Sequence, residues 1–379
     1  MRFLNEFRDP GLATRLIRDI RRMATRRWTL MEVCGGQTHS LLRHGVDAEL
    51  NDVIEMIHGP GCPVCVTRSD AIDWLAQLCQ LPPVLVTSFG DMLRVPGDRD
   101  CLLNARAAGG QVRAVYSPLD AVRIAQETPD LQVVFFAVGF ETTAPATALA
   151  ALQAERLGLE NFSLLVEHVR VLPAMEMLAA ATDCRVDGFL AAGHVCTVTG
   201  FEAYADFASR FRRPTVVTGF EPVDLLWGIL HCVRQLEAGQ SEVVNAYTRA
   251  VQITGNRAAR DLLDRVYEVV DKEWRGLGTV PGGGLGLREP YRRFCARRRF
   301  TQTLLPSAVP PVATELPIHR PNRCRAGDVL VGRLKPTACP EFATACRPES
   351  PLGAPMVSDE GACAAYFRYS SSHATHEPG

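Results

Sequence analysis

Val133-Val134-Phe135-Phe136-Ala137-Val138-Gly139-Phe140-Glu141-Thr142-Thr143-Ala144-Pro145 is an apolar run, a glycine turn and a helix start in immediate succession. A segment so apolar offers no face to water. It therefore predicts a strand covered on both sides, the habit of parallel sheets. Pro145 fits the first turn of the next helix, where its missing N–H is no loss, and Thr142 or Thr143 is placed to cap.

The same order of elements recurs along the chain. Trp28–Val33, Val53–Ile57, Val84–Thr87, Gly188–Ala192 and Thr215–Thr218 are short apolar runs, each followed by a glycine-containing turn and a helical stretch. The turn Thr218-Gly219-Phe220-Glu221-Pro222 repeats the G-F-E triplet of 139–141 and hints at two related halves. The fold class predicted is α/β: two parallel-sheet α/β domains, residues 28–125 and 126–222, behind an N-terminal amphipathic basic helix in 1–27. Residues 223–379 form a smaller helix- and loop-rich domain. Within it, 223–238 and 241–274 read as helical, followed by a glycine-rich break (Gly276, Gly278, Gly282–Gly284, Gly286) and a proline-punctuated stretch, 306–321. A cysteine-rich segment, 324–367, and a polar tail from Ser370, expected to be disordered, close the chain.

The 379 residues exceed one ordinary core. Apolar and charged contents of 47% and 22% belong to a globular chain. A net charge of −1 gives no global field toward nucleic acid or an anionic membrane, and neither partner is expected. The basic run Arg288, Arg292, Arg293, Arg297, Arg298 and Arg299 reads first as a solvated helix face, second as a docking patch for an acidic partner. The N-terminus lacks an apolar signal region and no stretch has the length of a membrane span, so a cytoplasmic location is expected. Thiols stay reduced there, and clustered cysteines then mean metal binding or redox work.

In open parallel sheets ligands bind beyond the carboxyl ends of strands. The distinctive loops 34–39, 58–65, 88–97, 139–145, 193–200 and 219–222 all fall at such ends. Cys34 opens C-G-G-Q-T-H, where two glycines allow close backbone approach and a following helix start favours a thiolate. An inert buried cysteine is the alternative. His39 is a candidate iron ligand, anion donor or helix cap. Cys62-Pro63-Val64-Cys65 is a C-x-x-C, which reads as a redox pair ahead of half a zinc site. His194 is a site residue or a satisfied structural histidine; Glu141 and Glu221 are general acids or turn caps. Cys79, Cys184, Cys232 and Cys295 read as structural, and Cys101 and Cys196 are open.

Cys324, Cys339, Cys346 and Cys363 are spaced C-x14-C-x6-C-x16-C. Four soft ligands converging suit an iron–sulfur cluster or zinc, with unrelated buried thiols as the third reading. No Walker A loop, G-x-G-x-x-G, H-E-x-x-H or C-x-x-x-C-x-x-C is present, so nothing points to a nucleotide cofactor.

The motifs Val33 to Ser40 (VCGGQTHS), Ile57 to Val66 (IHGPGCPVCV), Phe89 to Met92 (FGDM), Arg94 to Gly97 (RVPG), Phe135 to Thr143 (FFAVGFETT), Gly193 to Val195 (GHV) and Gly219 to Pro222 (GFEP) carry a resemblance. So do Met356 to Ser358 (MVS) and Glu360 to Ala365 (EGACAA), together with the quartet. The chain resembles the HypD family of hydrogenase maturation factors. That resemblance implies two α/β domains plus one carrying a [4Fe–4S] cluster on Cys324, Cys339, Cys346 and Cys363. It implies a scaffold for the Fe(CN)2CO unit of [NiFe]-hydrogenase, with a HypC-like small chaperone and a HypE-like donor that delivers cyanide as a thiocyanate. Cys34 would bind the transient mononuclear iron carrying cyanide and carbonyl ligands, shared with the HypC-like partner. Cys62 and Cys65 would be the redox pair, re-reduced from the cluster. An iron–sulfur thiol–disulfide oxidoreductase carrying no iron at Cys34 is the alternative, and a zinc-stabilised interaction module a third. Two positions depart from the family pattern: Pro355, where a cysteine is common, and Cys196, where a small hydroxyl residue is expected.

Overall fold

The structure is a computed structural model that describes residues 6–301 and 323–370. The stretch 306–321 and all but Ser370 of the expected tail lie outside the described residues. β1 (Trp28–Glu32) and β2 (Ile54–His58) begin one parallel sheet. The chain then builds a second one from β3 (Val84–Ser88), β4 (Val112–Ala114), β5 (Gln132–Gly139) and β6 (Phe162–His168), in the order β4-β3-β5-β6. It returns for β7 (Gly188–Ala192), β8 (Thr215–Thr218) and β9 (Val243–Asn245), completing the order β2-β1-β7-β8-β9. Every pairing in both sheets is parallel.

The α/β class is as the apolar runs require, and from Val133 to Gly139 the central β5 is buried throughout. The division into consecutive units is not what the sheets show. A cut at 125/126 falls inside the helix Pro118–Glu127, and each expected unit contributes strands to both sheets. The cause is an insertion: the second sheet is built between β2 and β7 of the first, which apolar runs alone cannot reveal. The two G-F-E turns do end strands of different sheets, β5 and β8.

Each sheet has a switch point. In the first, β1 lies between β2 and β7, so the chain departs on one side and returns on the other. At such a point the flanking loops diverge and leave a crevice. Phe140, just past β5, packs in one apolar cluster with Met31, Val33, Cys34, Val195 and Cys196, so the carboxyl end of the second sheet closes over that crevice.

The expected helix 241–274 is helical only over Arg257–Val266, and the glycine-rich break is largely strand. β9 and the helix Arg257–Val266 are followed by an antiparallel hairpin, β10 (Tyr267–Trp274) and β11 (Gly278–Leu287), with a register irregularity between Val270 and Lys272. The glycines are contact surface. A Cβ on Gly284 would stand 2.6 Å from Lys272 Cβ, and one on Gly283 would stand 2.5 Å from Val280 Cβ. The hairpin docks on β6: Arg170 N–H donates to the Gly283 carbonyl at 2.9 Å, and Lys272 Nζ donates to the Val166 carbonyl at 2.7 Å and pairs with Glu167 at 2.9 Å.

The arginine run is occupied within the fold. Arg292 pairs with Glu268 at 2.9 Å, Arg293 with Glu155 at 3.4 Å and Arg297 with Asp70 at 3.3 Å, while Arg299 donates to the Phe162 carbonyl at 3.0 Å. These contacts favour the solvated-face reading over a docking patch. Among the described residues no helix is long and apolar enough to cross a membrane.

Trp274 anchors the hairpin, buried to 1% exposure, its ring 6.0 Å from Phe140 and its Nε1–H on the Gly283 carbonyl at 3.0 Å. Trp274→Ala is expected to cost about 3–5 kcal/mol in a chemical denaturation series. A cost below about 0.5 kcal/mol, the range of surface changes, would show that the ring is not what docks the hairpin.

Candidate thiol and metal site

Cys34 lies two residues past β1, at the N-cap position of the helix Gly35–Arg43; His194 follows β7 and lies in the helix Gly193–Thr199. The two therefore flank the first sheet's switch point from positions 160 residues apart, with Cys34 Sγ 3.3 Å from His194 Nδ1. Burial pushes the Cys34 thiol well above its ordinary value, reinforced by the charges of Glu32 and Glu360; the Gln37 and Gly36 N–H groups act the other way. The helix start was expected to favour a thiolate, but desolvation dominates. Burial likewise lowers His194 to about 4. The pair at rest is a neutral thiol facing a neutral imidazole.

The Cys62–Cys65 loop lies directly against Cys34. Gly35 N–H donates to the Gly61 carbonyl at 2.9 Å, and a Cβ on Gly61 would stand 2.2 Å from the Cys34 nitrogen. The sulfurs of Cys62 and Cys65 are bonded, with Cα atoms 5.2 Å apart, and both residues are buried. The following helix, Ser69–Leu78, starts after the loop rather than at the motif.

Sequence reasoning assigned no role to the carboxylate beneath this site. Glu32, fully buried at the end of β1, accepts the Cys34 N–H at 2.8 Å on Oε2. Its Oε1 meets Thr38 Oγ1–H and stands 2.8 Å from His58 Nδ1. His58 Nε2 is 3.2 Å from the Tyr366 hydroxyl, which donates to Asp47 at 3.3 Å. Gln37 ties the same helix to the sheet, donating to the Ala191 carbonyl at 3.1 Å and Thr218 Oγ1 at 2.6 Å. The available signal was a glutamate closing an otherwise apolar strand.

The C-terminal segment packs onto this corner. A Cβ on Gly35 would stand 2.3 Å from the Glu360 carbonyl oxygen, and Tyr366 lies on the helix Ala362–Tyr369 that also carries Cys363. The four terminal cysteines share one electrostatic environment. After burial, Cys363 is raised by the charges of Cys324, Cys346 and Cys339, and Cys324 by those of Cys346 and Cys339. Cys324 Sγ nests where residue 353 has no side chain: a Cβ there would stand 2.2 Å away. Cys346 Sγ accepts the Leu352 N–H at 3.4 Å. The loop between Cys339 and Cys346 turns through Ala343 at φ 59°, a left-handed conformation that costs a non-glycine residue energy. Among the described residues no group of three or more His, Cys, Asp or Glu stands in the arrangement of a single metal ion.

The remaining candidates go elsewhere. His39 Nε2 is 3.0 Å from the Tyr369 hydroxyl, in edge contact with that ring. Glu221 caps the helix Pro222–Glu237 in a reciprocal box with Asp224 and pairs with Arg8. Glu141 accepts the first N–H of the helix Val171–Ala180, from Val171 at 3.2 Å, and burial raises it to about 7. Both glutamates thus do the capping work that was the alternative to acid catalysis. Cys196 is buried, pushed up to about 12 chiefly by burial, with Tyr204 as its hydrogen-bond partner. Cys101 caps the helix Leu102–Ala107 without a side-chain bond.

The chain is thus a parallel α/β protein that gathers thiols at one crevice: a thiol–imidazole pair at a switch point, a buried C-x-x-C beside it and a cysteine-rich C-terminal segment packed on that corner. A HypD family model, described as "Hydrogenase formation hypA family", matches residues 11–370. The chain is 43% identical to "Hydrogenase maturation factor HypD" of Rhodobacter capsulatus over 99% of this chain and 100% of that protein. It is 44% identical to the Azotobacter vinelandii factor of that name, over 97% of each, and 43% identical to that of Escherichia coli (strain K12), over 97% of this chain and 98% of the other. The chain belongs to the HypD family of hydrogenase maturation factors.

His168 holds the turn after β5, with Nδ1 3.2 Å from the Gly139 carbonyl and Nε2 3.0 Å from Thr147 Oγ1, and burial lowers it to about 4. Above pH 6.5 the ring is neutral folded and unfolded. As pH falls from 6.5 to about 4 the unfolded chain binds the proton first, so stability drops, by an amount on the order of 3 kcal/mol. His168→Gln should remove that much acid sensitivity from urea denaturation measured across the window. An unchanged slope would refute the assignment.

Proposed function

We propose that the chain is the scaffold on which the Fe(CN)2CO unit of [NiFe]-hydrogenase is assembled, in the cytoplasm, with a HypC-like chaperone and a HypE-like cyanide donor. The observation that carries this is the thiol of Cys34 held 3.3 Å from the neutral ring of His194, beside a buried redox pair. Thiolate and neutral imidazole are the forms that bind iron, and a bound cation makes a coordinating thiol give up its proton. Cys34 therefore stays protonated until its iron substrate arrives, with the neutral ring of His194 beside it.

Cyanide release from a thiocyanate R–S–C≡N consumes two electrons. One thiolate of the Cys62/Cys65 pair attacks the thiocyanate sulfur; the S–CN bond breaks, cyanide leaves, and a mixed disulfide forms. The second cysteine attacks that disulfide, returns R–S⁻ to the donor and closes the Cys62–Cys65 bond. The bridged pair is the oxidised end of this exchange. The packing of this loop on the Cys34 backbone through Gly61 supports a short route from the released cyanide to Cys34.

The terminal quartet fits a [4Fe–4S] cluster by its donor set. The four thiols lie in one another's field, the Gly353 cradle leaves room for one sulfur, and a backbone N–H points at another, a common tuning contact in such sites. Cys324, Cys339, Cys346 and Cys363 would hold it, and when bound it supplies electrons one at a time.

Infrared spectroscopy of protein purified anaerobically with its maturation partners tests the scaffold. Bands in the cyanide and carbonyl stretching window are expected in wild type and absent in Cys34→Ala. Cys65→Ala should keep the cluster absorption yet lose the cyanide bands. A silent wild-type window, despite an intact cluster and bound partners, would favour the oxidoreductase that carries no iron at Cys34.

A further inference from the structure

Arg275 lies in the turn between β10 and β11, and three of the family motifs meet on that turn. Its backbone N–H donates to the Val66 carbonyl at 2.8 Å, one residue past Cys65. Its Nη1 donates to the Pro96 carbonyl at 2.6 Å, within R-V-P-G. The next residue, Gly276, has φ 82° and lies flat on Gly327, three residues past Cys324: a Cβ on Gly276 would stand 2.9 Å from Gly327 Cα, and one on Gly327 would stand 2.6 Å from the Gly276 carbonyl oxygen. The turn therefore bridges the disulfide loop and the loop that carries the first cysteine of the quartet.

Arg275 brings a positive charge there with no carboxylate in direct contact. Among the described residues no ion pair engages it, and its one side-chain hydrogen bond goes to a neutral carbonyl. Burial is the leading influence on the guanidinium and lowers its proton affinity; the charges acting the other way are that of Cys324, the strongest, and those of Asp98 and Asp73. In turn Arg275 lowers the Cys324 thiol. A desolvated cation needs an anion close by, and four metal-bound thiolates are such an anion.

Resting on the reading of the quartet as a [4Fe–4S] site, we infer that Arg275 is the counter-charge of that site, holding its reduction potential above what the four thiolates alone would give. Reduction adds one negative charge to the cluster, and a fixed cation beside it stabilises the more negative state. Arg275 acts through the cluster and is a positioning residue: its backbone fixes the disulfide loop while its charge sets the electron donor on the other side of the turn.

The test uses the full chain, with its cluster reconstituted anaerobically, in wild type, R275Q, R275M and R275K. Iron and acid-labile sulfide are measured, and the one-electron couple is titrated with electron paramagnetic resonance as readout. At the potential where wild type is half reduced, R275Q and R275M should show about a tenfold lower reduced-to-oxidised ratio, about 59 mV for one electron, while R275K stays within about threefold. Neutral variants that keep the wild-type ratio, or R275K moving as far as R275Q, would overturn the inference. If the neutral variants lose the cluster and R275K keeps it, the counter-charge is upheld through occupancy; loss from all three overturns it. Wild type without four irons and four sulfides removes the cluster reading itself, a result distinct from any shift among the variants.

Discussion

A side chain of any kind on Gly61 would collide with the Cys34 backbone, and one on Gly35 would collide with the carbonyl of Glu360. These two contacts, backbone against backbone, bring the disulfide loop, the switch-point cysteine and the C-terminal segment into a single corner. The approach is closer than any pair of Cβ-bearing residues permits, and the Gly35–Gly61 hydrogen bond fixes its register. The placement of the first-sheet switch point, the Cys62–Cys65 bridge and the helix carrying Cys363 all depend on it. Glycine supplies the space, and the parallel sheet supplies the direction, since β1 and β2 run side by side and deliver Cys34 and the 59–65 loop to the same edge.

Burial governs the chemistry at that edge. A thiolate is the reactive form of cysteine, open to oxidation and to exchange with bulk thiols. Cys34 is held as a thiol by desolvation and by two nearby carboxylates, and Cys62 and Cys65 are almost fully enclosed. Burial of this kind limits access of small thiols and oxidants to the three sulfurs. Glu32 shows how a carboxylate is kept in so apolar a place. Both oxygens are engaged, by the Cys34 N–H, Thr38 and His58, so its solvation is replaced by protein donors aimed at it.

The parallel α/β class and six of the strands were legible because segments such as Val133–Val138 have no polar face. The strands that were missed had weaker patterns. β6 alternates into Glu167 and His168, and β10 reads Tyr-Glu-Val-Val-Asp-Lys-Glu-Trp, whose charges suggest an exposed helix. β11 is so rich in glycine that it resembles a break. The candidate thiols were legible from motif and loop position, whereas their neighbours were not: Glu32, His58 and Tyr366 are 26 and 308 residues apart in successive steps, and no local spacing encodes such a chain. Glu141 and Glu221 illustrate the converse. They share a triplet and a position after a strand, yet each is consumed by a helix N-terminus, one its own and one a neighbour's.

The interleaved topology gives the crevice a property that two consecutive domains would lack. Because the second sheet is inserted between β2 and β7, the thiol and the imidazole are brought together across the whole inserted sheet. Phe140 of that inserted sheet then packs into the same cluster as Cys34 and Val195, and Trp274 of the hairpin lies behind Phe140. The crevice is thus walled by elements from both sheets and from the hairpin whose turn carries Arg275. A shift in the disulfide loop, through Val66, or in the loop after Cys324, through Gly327, meets the same hairpin that packs on Phe140. Interiors packed at this density transmit strain rather than absorb it. The Cys62–Cys65 pair, Cys34 and the quartet are therefore packed through one set of contacts, although the chain visits them in three separate passages.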